Sequence, residues 1–266
     1  MNSLLELRNI TLTYQTLTDE ITAIDDLSFN CKNGEFTSII GPSGCGKTTV
    51  LSIIAGLISP TKGQILLEGK QLDKDNKKSI GYMLQKDQLF PWRTVEKNLF
   101  LPLEIKKMKN EENVQFAYNL LEKYGILDFK KSYPHQLSGG MRQRVALIRT
   151  LVFNPTLLLL DEPFSALDSQ TRLSVCDDVY KIIKAENKTA ILVTHDISEA
   201  ISMSDKIIVL TERPAKVKNV FYPDIKGDSP IKRRESKDFG VWFEKIFKEL
   251  HKWNQKQIFR TNMDYT

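Results

Sequence analysis

The stretch "FTSIIGPSGCGKTTV", residues 36–50, decides the fold of this chain. Its apolar start, Phe36 to Ile40, is typical of a strand buried on both faces, and "TTVLSIIAGLI", which begins at Thr48, has the spacing of a helix. The turn between the two fits G-x-x-x-x-G-K-[ST] at Gly41, Gly46, Lys47 and Thr48. A strand, a glycine turn and a helix in this order predict a phosphate-binding loop in an α/β fold.

The residues of this loop have predicted tasks. Glycines let the backbone curl around phosphate oxygens, Lys47 reaches the β- and γ-phosphates, and the Thr48 hydroxyl binds Mg²⁺. The positive field of the loop could lower the pKa of the Cys45 thiol, but we favour a small, unreactive side chain there. The other predicted nucleotide contacts of the loop are Ser43, Gly44 and Thr49.

The motif "LLLLDEP", residues 157–163, adds two carboxylates at the end of a second buried strand. Asp161 is predicted to hold Mg²⁺ directly or through water, and Glu162 to polarise the attacking water as general base or orienting acceptor. A cap for the helix after Pro163 is the alternative role for Glu162. We favour the base, because an acidic pair after four leucines is costly to bury without a cation.

Two further strands end on polar side chains, "AILVTHD" on His195 and "GYMLQ" on Gln85. Ligands bind beyond the carboxyl ends of strands in open α/β sheets, so both residues are predicted to meet the same nucleotide, with Gln85 also near the metal. Tyr14, at the end of an alternating strand, is a candidate for stacking on adenine. A surface histidine and an ordinary strand tyrosine are the plain alternatives.

The motif "LSGGMRQR", residues 137–144, predicts a second anion site, because a glycine turn opens onto a helix start. With its companions in order, the chain through about Leu210 resembles the ATP-binding subunit of an ABC transporter. The octapeptide matches that family's signature motif, "GPSGCGKTT" its Walker A and "LLLLDEP" its Walker B. "SALD" (Ser165 to Asp168) matches the D-loop, Gln85 the Q-loop and His195 the H-loop.

This resemblance implies ATP and Mg²⁺ as cofactors and a homodimer that sandwiches two ATP molecules head to tail. Ser138, Gly139 and Gly140 would hold the γ-phosphate of the ATP on the partner's Walker A, and Asp168 would link the two sites. His195 would contact the γ-phosphate and help to orient the water. ATP would close the dimer, and hydrolysis would remove the contact that holds it shut.

The resemblance also implies partners in the membrane. The longest apolar runs are far too short to span a bilayer, so we expect a peripheral subunit on the cytoplasmic side of the membrane, docked on two permease subunits. "LQKDQLFPWRTVEKN", residues 84–98, resembles importers of nitrate, sulfonates, taurine and related solutes, which implies a solute-binding protein as an indirect partner. Phe90 and Trp92 are candidates for the permease contact, and covering the subdomain's own core is the alternative.

Composition limits the other readings. The 266 residues are 41% hydrophobic, and a net charge of +5 is too small to argue for nucleic acid, which we do not expect as a partner. The basic excess lies in residues 211–266, so a soluble ABC-type ATPase acting on nucleic acid or ribosomes is the alternative function. A noncatalytic binding module is disfavoured because the motif residues are intact. Three distant cysteines fit a reducing cytosol.

The predicted fold is an α/β P-loop ABC ATPase core with a parallel sheet, an N-terminal antiparallel β subdomain and an inserted helical subdomain at about 86–150. Asn33-Gly34 suits a two-residue hairpin turn. The predicted domains are residues 1–210 and a tail, 211–266, with a linker from Arg213 to Glu235 in which "IKRRES" is a solvated charge run or meets anionic headgroups. The tail then forms an amphipathic helix that packs on this subunit or its dimer mate, with lipid or a regulator as the alternative. Its apolar stripe is Phe239, Trp242, Phe243, Ile246, Phe247, Leu250 and Trp253.

Overall fold

The computed structural model describes residues 3–15 and 19–261, with side chains described through residue 250. Its larger sheet has six strands in the order β10-β9-β3-β8-β7-β6, all parallel except β10 at one edge. Every residue of β3, β7, β8 and β9 is buried, as the continuous apolar runs predict. The strands are β3 (Phe36–Ile40), β6 (Ile80–Met83), β7 (Leu157–Asp161), β8 (Thr189–Val193), β9 (Lys206–Leu210) and β10 (Val217–Phe221).

The smaller sheet is antiparallel, in the order β2-β1-β4-β5, which confirms the predicted N-terminal β subdomain. The predicted hairpin at Asn33-Gly34 is wrong. That turn has the expected left-handed Gly34, but it leads from β2 in this sheet to β3 in the other, where β3 pairs with β8 and β9. The strands are β1 (Ser3–Gln15), β2 (Glu20–Lys32), β4 (Lys62–Leu67) and β5 (Lys70–Gln71).

Three helices between β6 and β7 form the inserted helical subdomain: α2 (Val95–Ile105), α3 (Glu111–Lys123) and α4 (Gly139–Leu151). The other helices are α1 (Lys47–Ile54), α5 (Ser169–Ala185), α6 (Ile197–Met203), α7 (Pro230–Glu235) and α8 (Lys237–Thr261). Helix α1 shares one apolar cluster with both sheets, and α4 and α5 share a second cluster with the opposite face of the larger sheet. The core therefore fixes the glycine loop, at the start of α1, against the ends of the parallel strands.

The tail is more ordered than a linker. Residues 213–235 contain strand β10, which extends the larger sheet by pairing with β9, and helix α7. The sequence did not predict β10, because "VKNVF" has neither the alternation nor the continuous apolar run of a typical strand, and the strand forms by pairing with the edge of β9. The division of the chain at residue 210 stays a prediction.

"IKRRES" is a solvated charge run only in part, because Lys232 is exposed whereas Arg233 is mostly buried. Its guanidinium donates hydrogen bonds to the carbonyls of Ser202, Ser204 and Gly227 at 3.3–3.5 Å. It also lies 5.2 Å from the ring centroid of Tyr180. Arg233 thus fastens α7 to the end of α6 and to α5.

Helix α8 has the predicted amphipathic character and packs on this subunit. Phe239, Trp242, Ile246 and Leu250 join an apolar cluster with α6, β9 and β10. Phe243 and Phe247 instead face outward with their rings stacked at 6.0 Å, and the side chain of Trp253 lies outside the described residues. In the described part of the chain, no helix has the length and apolar character that crossing a bilayer needs.

Candidate nucleotide site

The glycine loop has the backbone that its sequence requires. Gly44 has φ 73° and Gly46 has φ 115°, both in the left-handed region that side chains rarely adopt. Gly46 is the N-cap of α1, and its carbonyl accepts the hydrogen bond of the Val50 amide at 2.9 Å. The loop therefore leads directly into the positive end of α1, where an anion is favoured.

Lys47 is fixed across the start of this loop. The residue is only 7% exposed, and its Nζ donates to the carbonyls of Gly41 and Pro42, both at 2.9 Å. An ammonium group held among backbone carbonyls at a helix start adds positive charge where the N–H groups converge. The chemistry of this cradle suits a phosphate chain.

Thr48 and Asp161 come together although they are far apart in sequence. The Thr48 hydroxyl donates to Oδ1 of Asp161 at 3.1 Å, and the Tyr82 hydroxyl lies 3.3 Å from Oδ2. Burial raises the pKa of the Asp161 carboxyl, against the lowering effect of both hydroxyls, and burial raises the pKa of Tyr82 to about 12. A hydroxyl and a carboxylate side by side are hard oxygen donors, so this pair fits Mg²⁺.

Glu162, His195 and Gln85 converge at the ends of β7, β8 and β6. The Nδ1 atom of His195 lies 3.2 Å from Oε2 of Glu162, and Nε2 of Gln85 lies 3.4 Å from the same oxygen. Gln85 also lies 3.4 Å from the Ser165 hydroxyl, the first residue of "SALD". The Glu162 carboxylate thus lies between the imidazole of His195 and the side-chain amide of Gln85. This arrangement can hold and orient a water molecule.

The alternative role of Glu162 as a helix cap is wrong. The next α-helix, α5, begins at Ser169, and its N-cap is Asp168, whose carboxylate accepts from the Thr171 amide at 3.0 Å. Hydrogen bonds from the Thr171 side chain and from its backbone amide hold the pKa of Asp168 below its usual range. Glu162 instead has φ 44° and donates its backbone N–H to the Val193 carbonyl at 2.8 Å.

Cys45 is a packing residue in this structure. Its side chain is buried, and burial raises the pKa of the thiol despite the nearby Lys47. A Cβ on Gly41 would meet its Sγ at 3.0 Å, so the thiol fills the space beneath the loop. Ser43 and Thr48 are exposed, and Thr49 is half-buried in the first turn of α1.

The structure places Tyr14 at the far end of β1. It is 41% exposed and pairs in register with Ile21 of β2. An exposed ring on the small sheet is available for stacking. Its contact with adenine stays a prediction.

The signature segment forms the start of α4. Ser138 is exposed and is the N-cap, with its hydroxyl accepting from the Met141 amide at 3.2 Å. Gly140 has no room for a side chain, because a Cβ there would lie 2.9 Å from Val175 Cγ2 of α5. This close approach fixes the N-terminus of α4 against the helix that follows the D-loop.

Two functional neighbours were not predicted from the sequence. Tyr82 contacts Asp161 because β6 pairs with β7, and its place three residues before Gln85 was the available signal. Asp87 accepts a hydrogen bond from Arg142 of α4 at 3.0 Å, and its carbonyl accepts from Arg149 at 2.7 Å. These contacts tie the segment after Gln85 to the signature helix, and no sequence pattern announces them.

The predicted docking aromatics differ in exposure. Trp92 is 70% exposed and lies beside Phe90, with ring centroids 5.1 Å apart and ring planes tilted by 51°, so it does not cover the subdomain's own core. Phe90 is half-buried, and its amide donates to Asn98 Oδ1 at 2.8 Å. The pair stands on the segment that runs from Gln85 to α2.

Comparison with known proteins agrees with this geometry. A family described as ABC transporter matches residues 24–165. The uncharacterized ABC transporter ATP-binding protein YtlC of Bacillus subtilis is 47% identical over 257 residues, covering 96% of this chain and 98% of that protein. The aliphatic sulfonates import ATP-binding protein SsuB of Bacillus cereus is 41% identical over 203 residues, covering 76% and 79%.

Two further matches are a relative by sequence and a solved structure. The taurine import ATP-binding protein TauB of Roseobacter denitrificans is 35% identical over 243 residues, covering 90% of each chain. A solved structure, the dimeric post-hydrolysis state of the ATP-binding cassette MJ0796 bound to ADP and Pi, matches with a TM-score of 0.67 and 33% identity over 84% of this chain and 99% of that one. With its phosphate loop, paired carboxylates and signature helix in the order of that family, this chain belongs to the ABC transporter family and is one of its ATP-binding, ATP-hydrolysing subunits.

Proposed function

We propose that this ATPase energises uptake of a small solute, a sulfonate, taurine, nitrate or a related compound, through two separate permease subunits. The observation that carries the import proposal is exposed Trp92, which lies beside half-buried Phe90 on the segment between Gln85 and α2. Exposed aromatic side chains are preferred anchors of protein interfaces. The sulfonate and taurine importers among the relatives support the same assignment.

For hydrolysis, the residues divide into holding and reacting groups. Lys47 and the loop amides would hold the phosphates, aided by Ser43, Gly44, Cys45 and Thr49 through the backbone. Thr48 and Asp161, with Gln85 nearby, would hold Mg²⁺, which when bound neutralises charge that develops on the phosphates. Glu162 accepts a proton from the attacking water at Oε2, and His195 keeps that carboxylate in place through Nδ1.

We propose a homodimer in which each subunit completes the other's site. Ser138 is exposed at the N-terminus of α4, so its hydroxyl, with the amides of Gly139 and Gly140, can bind the γ-phosphate of ATP held by a second copy. Asp168, as the cap of α5, fixes the D-loop between these two sites. The dimeric cassette MJ0796 supports this assembly.

A position on the cytoplasmic side of the membrane, bound peripherally to the permease, follows from the proposal, and a solute-binding protein would act indirectly. The alternative function on nucleic acid or ribosomes loses support, because Arg233 of the basic tail is used within the fold.

Affinity capture tests the proposal. Tagged Glu162→Gln protein is recovered from gently solubilised native membranes with MgATP, and its companions are identified by mass spectrometry. A stoichiometric permease, lost in the additional variant Trp92→Ala but kept in the control Leu57→Ala, supports import. Leu57 is a comparably exposed apolar residue near the end of α1. Recovery of ribosomes or nucleic acid without a permease contradicts it.

A further inference from the structure

Arg172 lies in the first turn of α5 and touches both loops that flank the reacting groups. Its Nη2 donates to the carbonyl of Leu167 in the D-loop at 2.9 Å. On the other side, Nη1 lies 3.7 Å from Oδ2 of Asp196, and Nε lies 3.9 Å from Oε1 of Glu199. One guanidinium therefore joins the D-loop to the segment that carries His195.

The acids beside Arg172 fix the backbone around His195. Asp196, the residue after it, caps α6 by accepting from the amides of Ser198 and Glu199 at 2.7 and 3.1 Å. Thr194, the residue before it, donates its hydroxyl to Glu199 Oε2 at 2.6 Å and accepts from the Asp196 amide at 3.0 Å. Glu199 is only 3% exposed. A displacement of these carboxylates therefore moves His195.

The two sides of Arg172 differ in strength. The contact to Leu167 is a hydrogen bond, whereas both contacts to the acids are longer than hydrogen bonds. The Nε atom is buried and has no hydrogen-bond partner in the part of the chain that the structure describes. A buried N–H without an acceptor is unfavourable, and closure by roughly 1 Å toward Glu199 would satisfy it.

We propose that Arg172 is a positioning residue that couples a shift of the D-loop to the position of the His195 side chain. When the D-loop shifts toward its dimer contact, the Leu167 carbonyl draws Arg172 with it. The guanidinium then changes its distance to Glu199 and Asp196, and His195 moves relative to Glu162, whose carboxylate lies 3.2 Å away. The inference rests on the proposed roles of His195 and Glu162.

The test compares Arg172→Gln with Lys181→Gln in the full chain. Lys181 lies on the same helix, is mostly exposed and pairs with Asp177 at 2.6 Å, so it provides a matched loss of charge away from the loops. We expect Arg172→Gln to lower kcat for ATP about tenfold, as a misplaced acid–base group does, with an unchanged Kd for MgATP. Lys181→Gln is expected to keep both values.

A second readout separates positioning from general loss of structure. The chain has only three histidines, so ¹³C-labelled histidine gives ring resonances that His195→Ala assigns. We expect Arg172→Gln to shift the His195 resonances and leave those of His135 in place. If that variant does not fold, Arg172→Lys, which keeps the charge and loses the planar fork, is measured in the same way.

The outcomes distinguish the two levels of the proposal. Lower turnover in Arg172→Gln with shifted His195 resonances supports the inference. Normal turnover, or lower turnover with unmoved His195 resonances, overturns it while the role of His195 stands. Normal turnover in His195→Ala overturns the proposed role of His195 and the inference together.

Discussion

Glu162 is the residue on which turnover depends most directly. We predict that Glu162→Gln lowers the rate of phosphate release by about 10²–10⁴-fold, because the amide cannot accept the proton of water. The loop that holds the nucleotide is untouched, so the Kd for MgATP measured by fluorescent nucleotide titration is expected to stay the same. Glu244→Gln, an exposed change on α8, is the control. Near-normal hydrolysis by Glu162→Gln would remove this residue from its proposed role.

The three cysteines provide a second prediction at this scale. Cys31, Cys45 and Cys176 are all buried, and burial raises the pKa of each thiol, to about 12 for Cys31. Since the thiolate is the reactive form, native protein at pH 7 is expected to resist a maleimide and to react fully in urea. Mass spectrometry counts the adducts. Rapid labelling of Cys45 in the native protein would show that the loop activates it after all.

The positions of site residues were predictable where a motif ends a strand. Gln85, Glu162 and His195 follow three neighbouring parallel strands, so topology alone places them at one edge. Tyr82 and Asp87 could not be assigned, because their partners depend on which strands and helices become neighbours. Arg172 depends in the same way on the meeting of α5 with α6.

At the scale of elements, the Arg233 side chain attaches α7 to the rest of the fold. We predict that Arg233→Ala lowers the free energy of unfolding by about 2 kcal/mol, since carbonyl contacts of a charged group are lost in a mostly buried site. The neighbouring Lys232 is exposed and pairs with exposed Asp228, so Lys232→Ala is expected to cost under about 0.5 kcal/mol. Urea unfolding measures both. If both substitutions changed the free energy of unfolding equally, Arg233 would contribute no more than an exposed surface charge.

Elements with continuous apolar runs were predicted well, and short or shared elements were not. The buried strands β3, β7, β8 and β9 contain the continuous apolar runs that are typical of strands covered on both faces. Strand β10 depends on the free edge of β9, which only the assembled sheet provides. The sequence of Asn33-Gly34 correctly predicted a turn, but the flanking strands belong to different sheets. Strand β2 pairs with β1, whereas β3 pairs with β8 and β9.

For the whole molecule, the decisive question is how two copies meet. We predict that Ser138→Arg prevents ATP-dependent dimerisation of the Glu162→Gln protein, because a long cation replaces a small hydroxyl at the start of α4. MgATP binding by the monomer should persist, since Lys47 and Thr48 are unchanged. Analytical ultracentrifugation with MgATP measures the mass, and Ser59→Arg is the control, since Ser59 is an exposed serine in the loop after α1. A dimer formed by the Ser138 variant would contradict the sandwich.

The left-handed backbone of Glu162 has a consequence for the history of the molecule. A side chain in that conformation costs about 1 kcal/mol relative to glycine. The two requirements at this position conflict, because glycine would give the higher folding stability and the glutamate carboxylate is needed for turnover. In a related protein that no longer needs to hydrolyse ATP, we expect glycine to replace the glutamate at this position early. The free energy of unfolding of that protein would then rise as its ATPase activity is lost.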